Sequence, residues 1–141
     1  MSTEQNKSIV RRWVEEGWNE GNIAVIDQLY APDYVQHEPP PETVNSSDAL
    51  KQYVSMFLAA FPDLHHTIED LIAEGDKVVW RLNSKGTHKG PFMGIPATGK
   101  IIGAITGVVI FRLENSRIVE GWVNIDALGL MQQLGVIPLQ G

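Results

Sequence analysis

The residues best suited to chemistry lie near the end of the chain, where polar and aromatic side chains alternate with apolar ones. Glu120, Trp122, Asn124 and Asp126 occupy every second position of a segment otherwise rich in Val, Ile and Gly. Side chains on a β-strand alternate between two faces, so these four share one face. A carboxylate in an apolar wall costs free energy unless it has a purpose. We therefore predict that Asp126 is a catalytic general acid/base.

A hairpin must position this face. A two-residue turn at 115–116 would fold the segment back on the preceding apolar strand. A regular register then pairs Phe111 with Glu120 and Ile105 with Asp126. Both faces of the hairpin are largely apolar, so we expect helices to cover one face and a second subunit to cover the other.

Six further side chains are predicted to contact a substrate. An indole on the Asp126 face could stack on a polycyclic compound, and a histidine beside the proline run at 39–41 could lie at a pocket mouth. The alternatives are core packing for the aromatic residues and strand-end hydrogen bonding for the amide. The six are Trp122, Asn124, His37, Tyr34, Trp18 and His88.

Asp126 has a structural alternative as well, because aspartate is a preferred helix N-cap and the segment ALGLMQQLG follows it. Trp80 and Arg81 are neighbours on a strand, so only one of them faces inward, and we predict that Arg81 faces outward. A regular hairpin places Arg112 on the face opposite Asp126, and a β-bulge would reverse this placement.

Neither a metal nor an organic cofactor is predicted. His65 and His66 are adjacent on a strand and point to opposite faces, so they cannot chelate one metal together. The chain has no cysteine and no HExxH spacing. The segment 94–100 has the GxxxxGK spacing of a phosphate-binding loop, but Ile101 and a strand pattern follow it where Ser or Thr and a helix are required.

Composition limits the class of protein. The 141 residues suit one domain, 1–141, and 43% apolar with 20% charged residues is typical of a globular chain. The net charge of −6 and the absence of a basic cluster argue against nucleic acid as a partner. No apolar run approaches the ~20 residues that span a membrane. We expect a cytoplasmic protein without membrane or nucleic-acid partners.

The hydrophobic period changes from helical to strand-like along the chain, which indicates an α+β fold. Helices are predicted at 2–20, 22–31 and 46–61, with an N-cap at Ser2 or Thr3 for the first and at Ser46, Ser47 or Asp48 for the third. The strands are predicted at 34–37, 65–73, 77–87, 100–113 and 117–126.

Most of the chain resembles the SnoaL-like polyketide cyclase family. The resemblance rests on the runs THKGPFMGIPATGK and RLENSRIVEGWVNIDALGLMQQLG, supported by Asp63, His65, Glu74-Gly75-Asp76 and the stretch from Tyr34 to Pro39. It implies a nuclear transport factor 2-like cone, in which three N-terminal helices pack on a curved antiparallel β-sheet around one pocket. It also implies a homodimer or homotetramer formed through the outer face of the sheet.

The resemblance further implies a reaction. Members of the family close a ring by intramolecular aldol condensation of a hydrophobic carbonyl substrate without metal or organic cofactor. The general acid/base is an aspartate in a W…D…GL motif, which is Asp126 in this sequence. Two alternatives stay open because fold does not determine function. One is an isomerase, dehydratase or hydrolase on the same scaffold, and the other is a non-catalytic small-molecule-binding or dimerisation module.

Overall fold

Helices come first and strands follow, as the change of hydrophobic period predicts. The computed structural model describes residues 2–38 and 43–138; the proline run at 39–41 lies outside them. The helical elements are α1 (Thr3–Arg12), a π-helical segment (Trp13–Asn19), a 3₁₀ turn (Ile23–Val25), α2 (Ile26–Leu29), α3 (Ser47–Ala60) and α4 (Ala127–Leu134). The strands are β1 (Tyr30–His37), β2 (Thr43–Val44), β3 (His65–Glu74), β4 (Lys77–Thr87), β5 (Ile101–Glu114) and β6 (Arg117–Ile125).

The predicted helix starts are confirmed at atomic detail. The Ser2 hydroxyl accepts from the Gln5 amide and the Gln5 side chain accepts from the Ser2 amide, which is a complete capping box. Ser46 caps α3 by accepting from the amide of Ala49 at 3.0 Å. The predicted extension of the second helix to position 31 is wrong, because β1 already begins at Tyr30.

The first helix changes its winding before it ends. Trp13–Asn19 forms a π-helical turn, a feature that frequently occurs at functional sites. A Cβ at Gly17 would collide with the indole of Trp13, so the missing side chain leaves room for that ring. The turn brings Trp13, Trp18 and Asn19 toward the sheet, where they contribute to the site described below.

The sheet has the strand order β2-β1-β6-β5-β4-β3. Its pairs are antiparallel except for β1 and β6, which run parallel. The α+β fold with N-terminal helices on a curved sheet is therefore confirmed, with the parallel pair as an added detail. Register shifts interrupt every long pair, and such bulges bend the strands.

The core lies between the concave face of the sheet and the helices. Its largest buried side chains are aromatic and come from the π-helical segment, β1, β4, β5 and two connecting loops: Trp13, Tyr30, Tyr34, Phe61, Trp80, Phe92 and Phe111. Within the described ranges, no helix is long and apolar enough to cross a membrane.

Candidate functional site

A cavity with an almost entirely apolar wall lies inside the cone. Aromatic rings from the π-helical turn and α3 form one side, and β4, β5 and β6 form the other; they include Trp13, Trp18, Tyr53, Phe57, Trp80 and Phe111. The free volume is about 90 Å³. Its partly exposed lining residues are Tyr53, Phe57, His66, Val123 and Ile125. All but His66 lie on α3 and β6, so we place the opening between α3 and the end of β6.

His66 is the titratable group in the cavity wall with the clearest chemical potential. Its Nδ1 lies 2.5 Å from the Ser84 hydroxyl, and its Nε2 has no hydrogen-bond partner within the described protein. Burial lowers the pKa of the imidazole from 6.5 to about 3, with a smaller contribution from the neighbouring His65. The ring is therefore neutral at physiological pH.

The backbone of His66 is held by the end of the π-helical turn. The Asn19 side chain donates to the His66 carbonyl at 2.9 Å and accepts from the His66 amide at 2.8 Å. The indoles of Trp18 and Trp80 meet the imidazole edge-on, with ring centroids 4.7 and 5.5 Å away. Helix and sheet together thus fix the imidazole in one orientation.

Gln36 is the second polar side chain in the cavity wall with an unpaired atom. The Tyr34 hydroxyl donates to Gln36 Oε1 at 2.8 Å, while Gln36 Nε2 lacks a partner within the described protein. Burial raises the pKa of Tyr34 far above its ordinary value, so this hydroxyl keeps its proton. A Cβ at Gly121 would collide with the Tyr34 hydroxyl, so the glycine on the adjacent strand makes room for this pair.

Asp126 lies outside the cavity lining. It is the N-cap of α4: its Oδ1 accepts from the Gly129 amide at 2.9 Å. Its side chain is exposed and lines a shallow groove on the outer face of the sheet with Arg81, Val108 and Asn124. Ile125, the residue before it, borders both this groove and the cavity.

The hairpin register explains why the predicted face is not the inner one. The two-residue turn is confirmed, with Asn115 and Ser116 at φ 51° and 64° and Glu114 opposite Arg117. Beyond Ile118 the register shifts at Val119, so Arg112 pairs with Glu120 where the regular hairpin required Phe111. The prediction that Asp126 pairs with Ile105 is also wrong, because its amide donates to the Thr106 carbonyl at 2.9 Å.

The shift turns the predicted polar face outward. Val123 and Ile125 line the cavity, and Trp122 and Asn124 lie on the other side of the strand. His37 stacks on Trp122 and contacts Glu120 at 2.7 Å. Glu120 also accepts from Arg112 at 2.9 Å, so the hydrogen bonds from His37 and then from Arg112 lower the pKa of its carboxyl group. Arg112 thus joins this face through the bulge that the sequence could not exclude.

The remaining predicted substrate contacts divide between cavity and core. Trp18 lines the cavity. Tyr34 is fully buried and reaches the cavity only through Gln36. His88 is fully buried beside Phe61 and hydrogen-bonds to Thr98, away from the lining. As predicted, Arg81 points outward, where it pairs with an aspartate of β3 at 2.6 Å.

Sequence reasoning missed the polar groups that do line the cavity. The buried positions of β4 are Val78, Trp80, Leu82, Ser84 and Gly86, and a serine that continues an alternating apolar run is a readable signal for an inward hydroxyl. Which of His65 and His66 faces inward was not readable, because a register shift in β3 decides it. Within the described ranges, no three His, Asp or Glu side chains could hold a metal ion; the absence of a metal from the reaction stays a prediction.

Comparison with known proteins adds a family to this geometry. The model of the SnoaL-like polyketide cyclase family matches residues 8–134. A candidate polyketide cyclase from Acidithiobacillus ferrooxidans is 34% identical, with 96% of this chain and 99% of that chain covered and a TM-score of 0.82. A candidate SnoaL-like polyketide cyclase from Jannaschia sp. CCS1 is 25% identical, with 96% and 95% covered and a TM-score of 0.88.

A protein described as a different kind of enzyme has a similar structure. AclR from Streptomyces galilaeus, a candidate hydroxylase, is 29% identical, with 99% of this chain and 87% of that chain covered and a TM-score of 0.87. No curated protein gives a significant match to this sequence. The comparisons therefore agree on the family and leave the reaction to be argued from the site.

Proposed function

This chain belongs to the SnoaL-like polyketide cyclase family, and we propose that it closes a ring in a small hydrophobic carbonyl compound by intramolecular aldol condensation without a cofactor. The cavity is the observation that carries the proposal. Its walls are aromatic and aliphatic, and His66 and Gln36 each present an unpaired polar nitrogen in that lining. An apolar pocket with a few convergent polar groups is the usual form of a site for such a ligand.

The size of the cavity defines how a substrate enters. Its volume of about 90 Å³ is smaller than the ~150 Å³ apolar cavity that admits benzene. One carbonyl-bearing segment of the substrate therefore occupies the cavity. The rest lies across the opening beside Tyr53 and Phe57, where aromatic rings can hold the chain folded so that the reacting carbons meet.

The proposed base is Asp126, on the strength of the family motif and of its position next to Ile125, which borders the cavity. One carboxylate oxygen takes the proton from the carbon next to the carbonyl, and the electron pair of the broken C–H bond forms the enolate. The enolate carbon attacks a second carbonyl of the same molecule, which forms the new C–C bond and an alkoxide. The alkoxide takes back the proton from Asp126, so no redox partner is required. Oδ1 holds the Gly129 amide, and Oδ2 is the oxygen assigned to the substrate.

Deuterium exchange tests this function without the natural substrate. Wild type and Asp126→Asn are incubated in D₂O with a panel of cyclic ketones, aryl ketones and β-keto-esters, and deuterium uptake at carbon is followed by mass spectrometry. Asparagine caps helices as well as aspartate does, so the variant loses the base and keeps the fold. We expect the enzyme-dependent rate to fall ~10²-fold or more in the variant, the usual contribution of a general base. Equal rates in both proteins would remove Asp126 from the mechanism.

A second candidate function is a binding module for small hydrophobic molecules. The observation that favours it is the cap contact of Asp126, which explains the carboxylate structurally and places it outside the cavity lining. This candidate predicts tight binding of ketones in the panel with no exchange in either protein.

Self-association and location complete the proposal. We keep the homodimer or homotetramer and the cytoplasmic location as predictions of the resemblance and the composition. Partly apolar groups on the outer sheet face, such as Val108 and Trp122, are available to a second subunit.

A further inference from the structure

The cavity wall contains two buried nitrogen atoms without hydrogen-bond partners within the described protein, and the family motif involves neither. His66 and Gln36 line it from different strands, β3 and β1, and each leaves one nitrogen without a partner within the described protein. Burying a polar group without a partner costs free energy, so native proteins rarely keep such groups without a reason. Two of them in one apolar cavity indicate a missing ligand atom that accepts hydrogen bonds.

We propose that His66 Nε2–H and Gln36 Nε2–H2 together form an oxyanion site, which binds the substrate carbonyl oxygen and stabilises the negative charge that develops there in the enolate. The inference rests on the proposed function for its reaction, and it adds two catalytic residues and the orientation of the substrate. The carbonyl oxygen lies between the two donors, and the adjacent carbon that loses its proton is directed toward the Ile125 side of the cavity.

The tautomer of His66 follows from counting protons in the His66–Ser84 pair. If Nδ1–H donated to Ser84, both the hydroxyl proton and the Nε2 lone pair would lack partners within the described protein. If Ser84 donates to Nδ1, only Nε2–H lacks one. The second arrangement leaves fewer unmatched groups, so Ser84 is a positioning residue that directs an N–H into the cavity.

The orientation of Gln36 follows in the same way from Tyr34. The Tyr34 hydroxyl carries a proton and donates it to Oε1, which fixes the amide plane and directs Nε2 to the other side. Gly121 makes this possible because any side chain there would displace the hydroxyl. Both donors are therefore preorganised by buried partners, which is the property that makes oxyanion sites effective.

The neutral state of His66 suits this role. Because burial keeps the imidazole neutral down to low pH, it donates a hydrogen bond without bringing a positive charge into the apolar cavity. A neutral imidazole is a known electrophile for carbonyl oxygens in enolising enzymes. Removal of one such donor typically lowers catalysis ~10²–10³-fold.

A stable mimic of the enolate tests the site without turnover. 4-Nitrophenolate presents an anionic oxygen on an aromatic body, and nitrobenzene presents the same body without it. The affinities of both are measured by calorimetry at a pH where the phenol is ionised, for wild type, His66→Leu, Gln36→Leu and the matched control His65→Leu, whose position is exposed. We expect each cavity variant to weaken 4-nitrophenolate binding at least ~5-fold relative to nitrobenzene, and the control to change neither.

A single variant also leaves the partner of the removed side chain without its hydrogen bond. Double variants separate this structural effect from the loss of a contact to the ligand. Tyr34→Phe/Gln36→Leu and Ser84→Ala/His66→Leu remove both members of each pair, so no buried group is left without its partner. They should show the same selective loss of 4-nitrophenolate. Equal losses of both ligands, or no loss of either, would overturn the oxyanion site, as would failure of the wild type to prefer the phenolate.

Nitrogen NMR of ¹⁵N-histidine protein tests the tautomer. We expect His66 to carry its proton on Nε2 in wild type, and Ser84→Ala to shift the population toward Nδ1–H. A wild-type proton on Nδ1 would overturn the donor role. The outcome is distinguishable from failure of the proposed function, because phenolate selectivity without deuterium exchange leaves the site intact and removes the reaction. If deuterium exchange is unchanged in His66→Leu, the reaction stands and the oxyanion site is removed from it.

Discussion

The two long hairpins, β3–β4 and β5–β6, each contain one register shift, and the two shifts differ in what they do to the polar lining of the cavity. In β3 the shift lies at Glu69, and beyond it His66, rather than His65, faces inward. In β6 the shift lies at Val119, and beyond it Trp122 faces outward. The bulge in β3 decides which of two adjacent histidines enters the cavity, whereas the bulge in β6 removes the whole face on which the sequence had placed the catalytic group.

The difference shows how strongly one inserted residue acts on a sheet. The side-chain period of a strand is two, so a single extra residue moves every later side chain to the opposite face. Without the bulge at Val119, Glu120 and its alternate neighbours would share the face of Ile118, which is fully buried. Substitutions on the inner and outer faces therefore test directly which side chains point into the cavity.

The two tryptophans give the largest expected contrast. Trp80 is buried on the inner face of β4, whereas Trp122 is partly exposed and stacks on His37. Trp80→Ala should lower the free energy of unfolding by about 3–5 kcal/mol, and Trp122→Ala by about 1 kcal/mol. Urea denaturation of both variants measures the contrast.

The opposite outcome for the two tryptophan variants would also identify its cause. Equal losses in the two variants would mean that the outer face is covered as fully as the inner one. Repeating the denaturation at several protein concentrations would then identify a second subunit as the cover, because dissociation makes the midpoint depend on concentration.

The inward histidine gives the next largest effect, through pH. The unfolded imidazole binds a proton near pH 6.5, and the folded His66 binds one only near pH 3. Between these values the unfolded state holds more protons, so stability is complete above pH 6.5 and is lost as the pH falls. The slope is up to about 1.4 kcal/mol per pH unit. His66→Gln should flatten the stability curve between pH 6.5 and pH 4.5, whereas the exposed control His65→Gln should not. Parallel curves for wild type and His66→Gln would contradict the inward placement.

The sequence predicted the fold better than the site, for a physical reason. Helix starts depend on local capping residues such as Ser2 and Ser46, and the β5–β6 turn depends on two residues that accept positive φ, so the local sequence is sufficient. The inner face depends on bulges at Glu69 and Val119, which are residues of ordinary strand type with no turn chemistry. Their position follows from how the curved sheet packs on the helices, which is a tertiary effect that alternation alone does not contain.

Asp126 provides the smallest expected effect on stability and the sharpest separation of its two roles. Asp126→Ala removes the cap of α4 and should cost about 1 kcal/mol, whereas Asp126→Asn keeps the cap and should cost only a few tenths. A Cβ at Gly129 would collide with the Asp126 carboxylate, so Gly129→Ala should destabilise the wild type. In the Asp126→Ala background that collision is absent, and the same change should stabilise the helix by up to about 1 kcal/mol, since alanine is the better helix former.

This change of sign, measured by thermal denaturation of the four proteins, would establish that the D…G spacing of the motif is explained by the cap. Additive effects would instead show that the carboxylate is not held against Gly129. The activity of Asp126→Asn then has a single interpretation. Lost exchange in a protein of unchanged stability assigns the carboxylate to proton transfer. Retained exchange assigns the motif to the start of α4, and the acid/base must be sought among the groups that line the cavity.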